Sequence, residues 1–310
     1  MLEYTRPIEA ALELIELQLS EDASNCKVDT AKTSYASVGF AVIVPVYNEA
    51  AVLERFLRLI RDGLPPDAQV VVALNGCTDA SATIVASVSD ARIRTVETIR
   101  PGKARGIRAA EAITDRFPRF YVDADVEIRG SDLSRLAARL ATSNAMMISP
   151  RAAFRYEGAT CFAKAFNDVW IASNYIRNGA FQYVIGLSEK GRACWGEMPD
   201  VLADDTFMRL SVPPEERIIA DEIQIIVRLP TRWRPIIRVR RRIALGLRQL
   251  RSLGYQPREA VAPSGPRIGG SQPWPKVAIY ILGVMIGRIW AYTTPLRTYE
   301  WGKDQSSRAH

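Results

Sequence analysis

Hydrophobic residues between positions 40 and 150 fall into two alternating rhythms. Short runs rich in β-branched residues, Phe40–Val46 and Val70–Leu74, read as strands buried on both faces. Arg92–Glu97, Arg119–Asp123 and Ala145–Ser149 supply further strand candidates. Between them, helical spacing predicts helices over Ala50–Arg61, Thr78–Val88 and Ala104–Arg116, and one that Ser131 caps and that runs to about Leu140. Pro65-Pro66-Asp67 punctuates the series. Strands alternating with helices at this spacing predict an α/β fold around a mostly parallel sheet, with ligands at its carboxyl edge.

Outside this stretch the rhythm changes. Residues 1–37 read as an arm and linker, with Ile8, Leu12, Ile15 and Leu19 on one face of a short helix. One domain is expected over 38–212, with its two halves meeting near 150. After Pro150 the pattern loosens: Ala159–Ile176 is helical, and the region to Val212 reads as loop-rich. Residues 213–310 form a third section. In it, a basic helix begins at Pro235 with Ile236, Val239, Ile243, Leu247 and Leu250 as its apolar stripe and Arg238, Arg241, Arg242 and Arg248 elsewhere. Pro257–Pro275 is a Gly/Pro-rich linker, and Val277–Tyr292 is apolar apart from Arg288. There is no internal repeat.

Composition narrows the chemistry. The single histidine is His310, the last residue, so an internal general base must be a carboxylate, lysine, tyrosine or cysteine. Cys26, Cys77, Cys161 and Cys194 are far apart with no Cys-x-x-Cys pair, which predicts reduced thiols in a cytoplasmic setting and no zinc site. The net charge of +7 is local: nine arginines and no acid lie between Arg228 and Arg251, leaving −2 over the rest. Met1-Leu-Glu-Tyr has neither the basic start nor the apolar core of a signal peptide.

The most informative segment is Phe120-Tyr-Val-Asp123-Ala-Asp125-Val-Glu-Ile128. Alternation sends Asp123 and Asp125 to one side, just where an apolar run ends. Oxygen ligands at such a strand end suit a hard divalent cation that also holds a phosphate. Upstream, Val44-Pro45-Val-Tyr47-Asn-Glu49 ends the first strand; Tyr47 can flank a base, and Glu49 can accept hydrogen bonds from a ribose or base edge. The second strand ends in Leu74-Asn75-Gly-Cys-Thr-Asp79, where Asn75 can both donate and accept and Asp79 can also cap the next helix. Lys103 in Arg100-Pro-Gly-Lys103 stands at a helix start, where it can reach an anion. Asp204 and Asp205 are adjacent acids whose repulsion and partial burial raise one pKa.

In this order, the motifs resemble those of the inverting glycosyltransferases of family 2, which have the GT-A fold, over roughly residues 39–250. The resemblance implies a nucleotide-diphospho-sugar donor, UDP-sugars favoured, and a hydroxyl acceptor. It implies that Asp123, Ala124 and Asp125 form the family's Asp-x-Asp, with Asp123 near the ribose and metal and Asp125 on a manganese or magnesium ion bridging the diphosphate. Pro45, Tyr47, Glu49, Asn75, Asp79 and Lys103 then contact the nucleotide sugar. Asp204 occupies the Glu place of the acceptor-side motif and Asp205 that of the general base. The chain departs from the pattern at Leu74-Asn75, where acids are usual, and lacks the Gln-x-x-Arg-Trp string. Arg242, in its place, is assigned to the diphosphate.

Val277–Gly287 supplies eleven residues before Arg288 interrupts, fewer than the roughly 20 of a spanning helix. A helix packed on the domain is expected, with peripheral attachment to the anionic cytoplasmic membrane face, useful for a lipid-linked acceptor, as the other reading. Nucleic acid is not an expected partner, since the arginine tract holds one aromatic, Trp233, and no base-reading module. The rival functions are a haloacid-dehalogenase-like phosphohydrolase built on Asp123 and Asp125, and an idle nucleotide-binding or membrane-associated protein.

Overall fold

The computed structural model describes residues 39–255 and 272–295. The expected arm at 1–37, Cys26, most of the 257–275 linker and His310 lie outside them. Strand β1 (Ala41–Val46) is buried along its whole length, as its unbroken apolar run requires. It pairs in parallel with β2 (Gln69–Asn75) on one side and β4 (Arg119–Val122) on the other, and β3 (Ile93–Thr98) adds a parallel edge beside β2. Helices α1 (Ala50–Arg61), α2 (Ser81–Ala86) and α3 (Lys103–Glu111) make the crossovers. The second is shorter than Thr78–Val88 because Thr78 and Asp79 are held in a turn.

Past β4 the sheet becomes mixed. With β5 (Val126–Glu127), β6 (Met147–Arg155), β7 (Val184–Leu187) and β8 (Arg217–Arg228), the order is β3-β2-β1-β4-β7-β6-β8-β5. β7 runs antiparallel to β4 and β6, and β8 runs parallel to β6 with a bulge at Pro150/Arg151. β8 carries the sheet to Arg228, so the expected boundary at 212 falls inside one sheet. Its pattern is hard to read because Asp221, Glu222 and Gln224 break the apolar run.

Helix α4 (Gly130–Thr142) starts one residue before Ser131, which therefore lies within it; the flanking residue is Arg129. The predicted Ala159–Ile176 helix is two: α5 (Cys161–Ile171), capped by Thr160, and α6 (Asn174–Arg177). A short α7 (Glu189–Arg192) and α8 (Asp204–Ser211) follow. One face of the sheet packs Val42, Val44 and Phe120 against Leu53, Phe56, Ile60, Leu133 and Leu136. The other packs Ile43, Val71 and Tyr121 against Ile107, Phe207 and Met208. Each such buried side chain contributes about 1.5–3 kcal/mol, and together they fix the strand ends that carry the acids.

The basic helix α9 (Trp233–Ser252) and the apolar helix α10 (Trp274–Tyr292) pack on each other and on α5. The buried residues of α9 are Pro235, Ile236, Ile237, Leu245, Gly246 and Leu250, while Ile243 of the expected stripe is exposed. Arg241 and Arg248 turn inward rather than to solvent. The Arg241 guanidinium lies 4.2 Å from the Trp290 ring centre, and Arg248 lies 4.9 Å from that of Tyr292 and donates to the Ala291 carbonyl. Stacked guanidinium groups tolerate this apolar contact better than ammonium groups do.

Candidate active site

The carboxyl edge of β1 and β2 is a pair of latched loops. Asn48, with φ +51°, accepts a hydrogen bond from the Thr78 amide at 2.7 Å. The Glu49 amide donates to Ser81 Oγ at 3.0 Å, and Asp79 accepts from the amides of Ala50 and Ser81, both at 3.0 Å. Gly76 permits the turn: its φ is +65°, and a Cβ there would sit 3.0 Å from Pro101. Asp79 is thus the clasp between two helix starts, and these bonds hold its pKa below 3.8 although burial works the other way.

Two nucleotide-contact assignments change. Glu49 is fully buried, so it offers no surface to a ribose. Asn75 is also fully buried; it accepts from the Thr98 hydroxyl at 2.9 Å and lies beneath Gly106 of α3, so it does not read a base edge. The alternation of β2 turns this side chain inward. Tyr47 stays half-buried at the edge, and Ala124 is buried.

Beside this edge, a cleft of about 270 Å³, counting space open to solvent, is lined by Pro45, Lys103, Ile107, Tyr121, Val122, Asp123, Tyr183, Ile185, Asp204, Asp205 and Met208. Three elements deliver its charges: α3 brings Lys103, the end of β4 brings Asp123, and the first turn of α8 brings Asp204 and Asp205. Acids at that helix start also meet the positive end of its dipole. Lys103 Nζ lies 2.8 Å from Asp123 and 2.7 Å from Asp204, so the anions it reaches in this structure are protein carboxylates. Burial disfavours its charge, but Asp123, Asp204 and Asp205 together hold its pKa well above 10.5. The carboxyl of Asp204 is pushed above 3.8 by burial and by Asp205 and Asp123, against the pull of Lys103. Asp205 accepts from the Thr206 amide at 2.6 Å.

Sequence reasoning missed three residues here. Tyr183 lines the cleft with φ +67°, a conformation that costs a non-glycine residue free energy, and its carbonyl accepts from the Asp123 amide at 3.0 Å. Burial drives its hydroxyl pKa well up; Arg240 opposes this, while Asp125, Tyr175 and Asp123 add to it, which sets those groups around the ring. Tyr175, 39% exposed as a residue, has its hydroxyl pKa raised by partial desolvation and then by Asp205. Arg240 lies 5.2 Å and 5.4 Å from the ring centres of Phe166 and Trp170. It has no carboxylate partner among the described residues, and burial lowers its pKa. Arg242 and Arg240 are both half-buried, and neither lines the cleft; nor do Tyr175, Tyr47, Glu49, Asn75, Asp79, Ala124 or Asp125. Nothing in the spacing of the arginine tract singles out Arg240; only its seat on two aromatic rings does.

Could Asp123 and Asp125 hold a cation? Among the described residues no group of three histidine, cysteine, aspartate or glutamate side chains forms a metal cluster. Two carboxylates at one strand end fit a hard cation that takes its remaining ligands from a bound diphosphate and water.

A sequence model of glycosyl transferase family 2 matches residues 41–195, half of the chain. The chain belongs to that family. It is a glycosyltransferase, and the dehalogenase-like reading is set aside; the topology agrees, since β4 follows three other strands. A mannosyltransferase, PcManGT from Pyrobaculum calidifontis, solved with GDP-Man and Mn2+, matches at TM-score 0.54 and 21% identity over 83% of this chain and 72% of its own. TarS of S. aureus (residues 1–349) with UDP matches at TM-score 0.49 and 18% identity, over 68% and 65% of the two chains. Glucosyl-3-phosphoglycerate synthase from Mycobacterium tuberculosis, with Mn2+, UDP and glucosyl-3-phosphoglycerate, matches at 0.42 and 18%, over 62% and 71%. At its identity, the first of these likenesses shows the GT-A fold. No curated protein sequence matches the chain.

Proposed function

We propose that this glycosyltransferase transfers a sugar from a nucleoside-diphosphate donor to a hydroxyl acceptor with inversion, with Asp205 as the base. The observation that carries this is the meeting of Asp123 from one segment with Asp204 and Asp205 from another, beside Lys103 in one cleft. Asp205 takes the proton of the acceptor hydroxyl. The freed oxygen bonds to the anomeric carbon from the face opposite the phosphate, and the carbon–oxygen bond to the diphosphate breaks with its electron pair leaving on the nucleotide. Lys103 and Asp204 position the acids. Asp125 and Asp123 would hold a divalent cation, which would supply charge neutralisation for the departing diphosphate; Mn2+ is recorded with the mannosyltransferase.

Arg240, rather than Arg242, is the arginine we assign to the diphosphate. Calorimetric titration of UDP, GDP and TDP, with and without manganese, tests the reading. One nucleotide binds with manganese, and Asp125→Ala weakens that binding at least tenfold. If no nucleoside diphosphate binds, or if manganese and Asp125→Ala change nothing, the donor-site assignment is wrong.

A further inference from the structure

Helix α10 is apolar on both sides, yet only one side is used. Val277, Tyr280, Gly283, Gly287 and Ala291 are buried against α5 and α9. The fit is close: a Cβ at Gly287 would fall 2.5 Å from Arg240 Cβ. The opposite side presents Trp274, Leu282, Met285, Ile289 and Tyr292 to solvent, at 53–73% exposure. Its C-terminal end meets α9 at Tyr292, whose ring centre lies 4.9 Å from Arg248. Contiguous exposed apolar surface of this kind marks an interaction site.

Charge identifies what covers it. Helices α9 and α10 carry no acidic residue; of their nine basic ones Arg240, Arg241 and Arg248 stack on rings and Lys276 pairs with Asp168, while Arg234, Arg251 and Arg288 are exposed. Aromatic rings stand at both ends of α10, with Trp274 at the start and Trp290 and Tyr292 at the finish. An apolar face bounded by interfacial aromatics and arginines matches the boundary of an anionic lipid bilayer. At 19 residues α10 is about 28 Å long, near the bilayer's apolar thickness, and its composition passes for a span. Its buried stripe decides against crossing, because lipid all round would part α10 from α5 and the inward-turned arginines of α9. We propose that the α9–α10 surface docks this protein on an anionic membrane, with α10 lying in the plane of the bilayer.

The inference does not rest on the transfer chemistry, and its test needs no sugar donor. The full chain is sedimented with vesicles of phosphatidylcholine alone and of phosphatidylcholine with about a third phosphatidylglycerol. Binding to the anionic vesicles and release by alkaline carbonate are expected. Replacing Leu282→Asp and Met285→Asp together lowers binding about a hundredfold, with thermal unfolding unchanged, because both side chains are already in solvent. Arg288→Gln lowers anionic-vesicle binding about fivefold and leaves neutral-vesicle binding unchanged. Three results overturn the proposal. One is no binding to either vesicle. The second is retention through the carbonate wash, which means a span. The third is a dimer in sedimentation velocity that the Leu282→Asp, Met285→Asp variant turns into a monomer without any lipid binding, which assigns the face to a second copy.

Discussion

Lys103→Met removes a cation that lies 2.8 Å from Asp123 and 2.7 Å from Asp204. The side chains of Lys103, Asp123 and Asp204 are 14%, 18% and 8% exposed, so solvent screens the lost attraction weakly. Breaking such a pair from one side costs about 3–5 kcal/mol, since the partner is left charged and buried. Protonation caps the loss: neutralising an ordinary carboxyl at pH 7 costs about 4 kcal/mol, and less for Asp204, whose pKa already lies above 3.8. We therefore expect a stability loss of about 2–4 kcal/mol at pH 7 in urea unfolding. The pH dependence identifies the cause. In the variant, the folded-state pKa of Asp204 rises further, so the folded state binds more protons than the unfolded state above 3.8. Stability then falls as pH rises through that window, and the deficit shrinks towards pH 5. Asp204→Asn in the same background should restore much of the loss. A deficit under about 1 kcal/mol at pH 7, with no recovery in acid, would refute a lysine-held acid cluster.

In the unsubstituted protein Lys103 follows the same sign and the lowered acids follow the opposite one. The stabilisation from Lys103 is complete below 10.5 and is lost only as pH rises through its elevated folded value, so thermal melts should show this alkaline loss and Lys103→Met should lack it. Asp79 and Asp90 have lowered pKa values, and their contribution is present above 3.8 and disappears as pH falls below it; Asp79→Asn should flatten the acid limb of the same melts. Arg240→Gln should weaken nucleoside-diphosphate binding about tenfold or more by calorimetry, the cost of one charged hydrogen bond, whereas Arg242→Gln should change it less than about twofold.

The sequence made the parallel half of the fold readable because β1 and β2 are continuous apolar runs, and α1 was predicted with its observed bounds, Ala50–Arg61. Asp123, Asp204, Asp205 and Lys103 were legible as chemistry because each stands where an apolar run meets a turn. What the pattern concealed was direction. Asn75 and Glu49 occupy loop-like positions, yet strand alternation and helix packing turn them inward. Arg241 and Arg248 lie off the apolar stripe in the sequence, yet they stack on α10, a helix separated from them by a long stretch of chain. β7 is four residues long and follows two residues with positive φ, so no periodicity could announce it. Tyr183 and Arg240 acquire their surroundings only through tertiary contacts, and local sequence carries no trace of those.

The role of Asp205 is the claim to test most directly. Asp205→Asn keeps the shape and removes the capacity to take a proton. With the nucleotide sugar chosen by calorimetry, the predicted result is donor affinity within about twofold of the unsubstituted protein and a fall in single-turnover transfer of at least about a hundredfold. Transfer at the unsubstituted rate, with donor bound normally, would contradict the assignment and move the base to another group in the cleft.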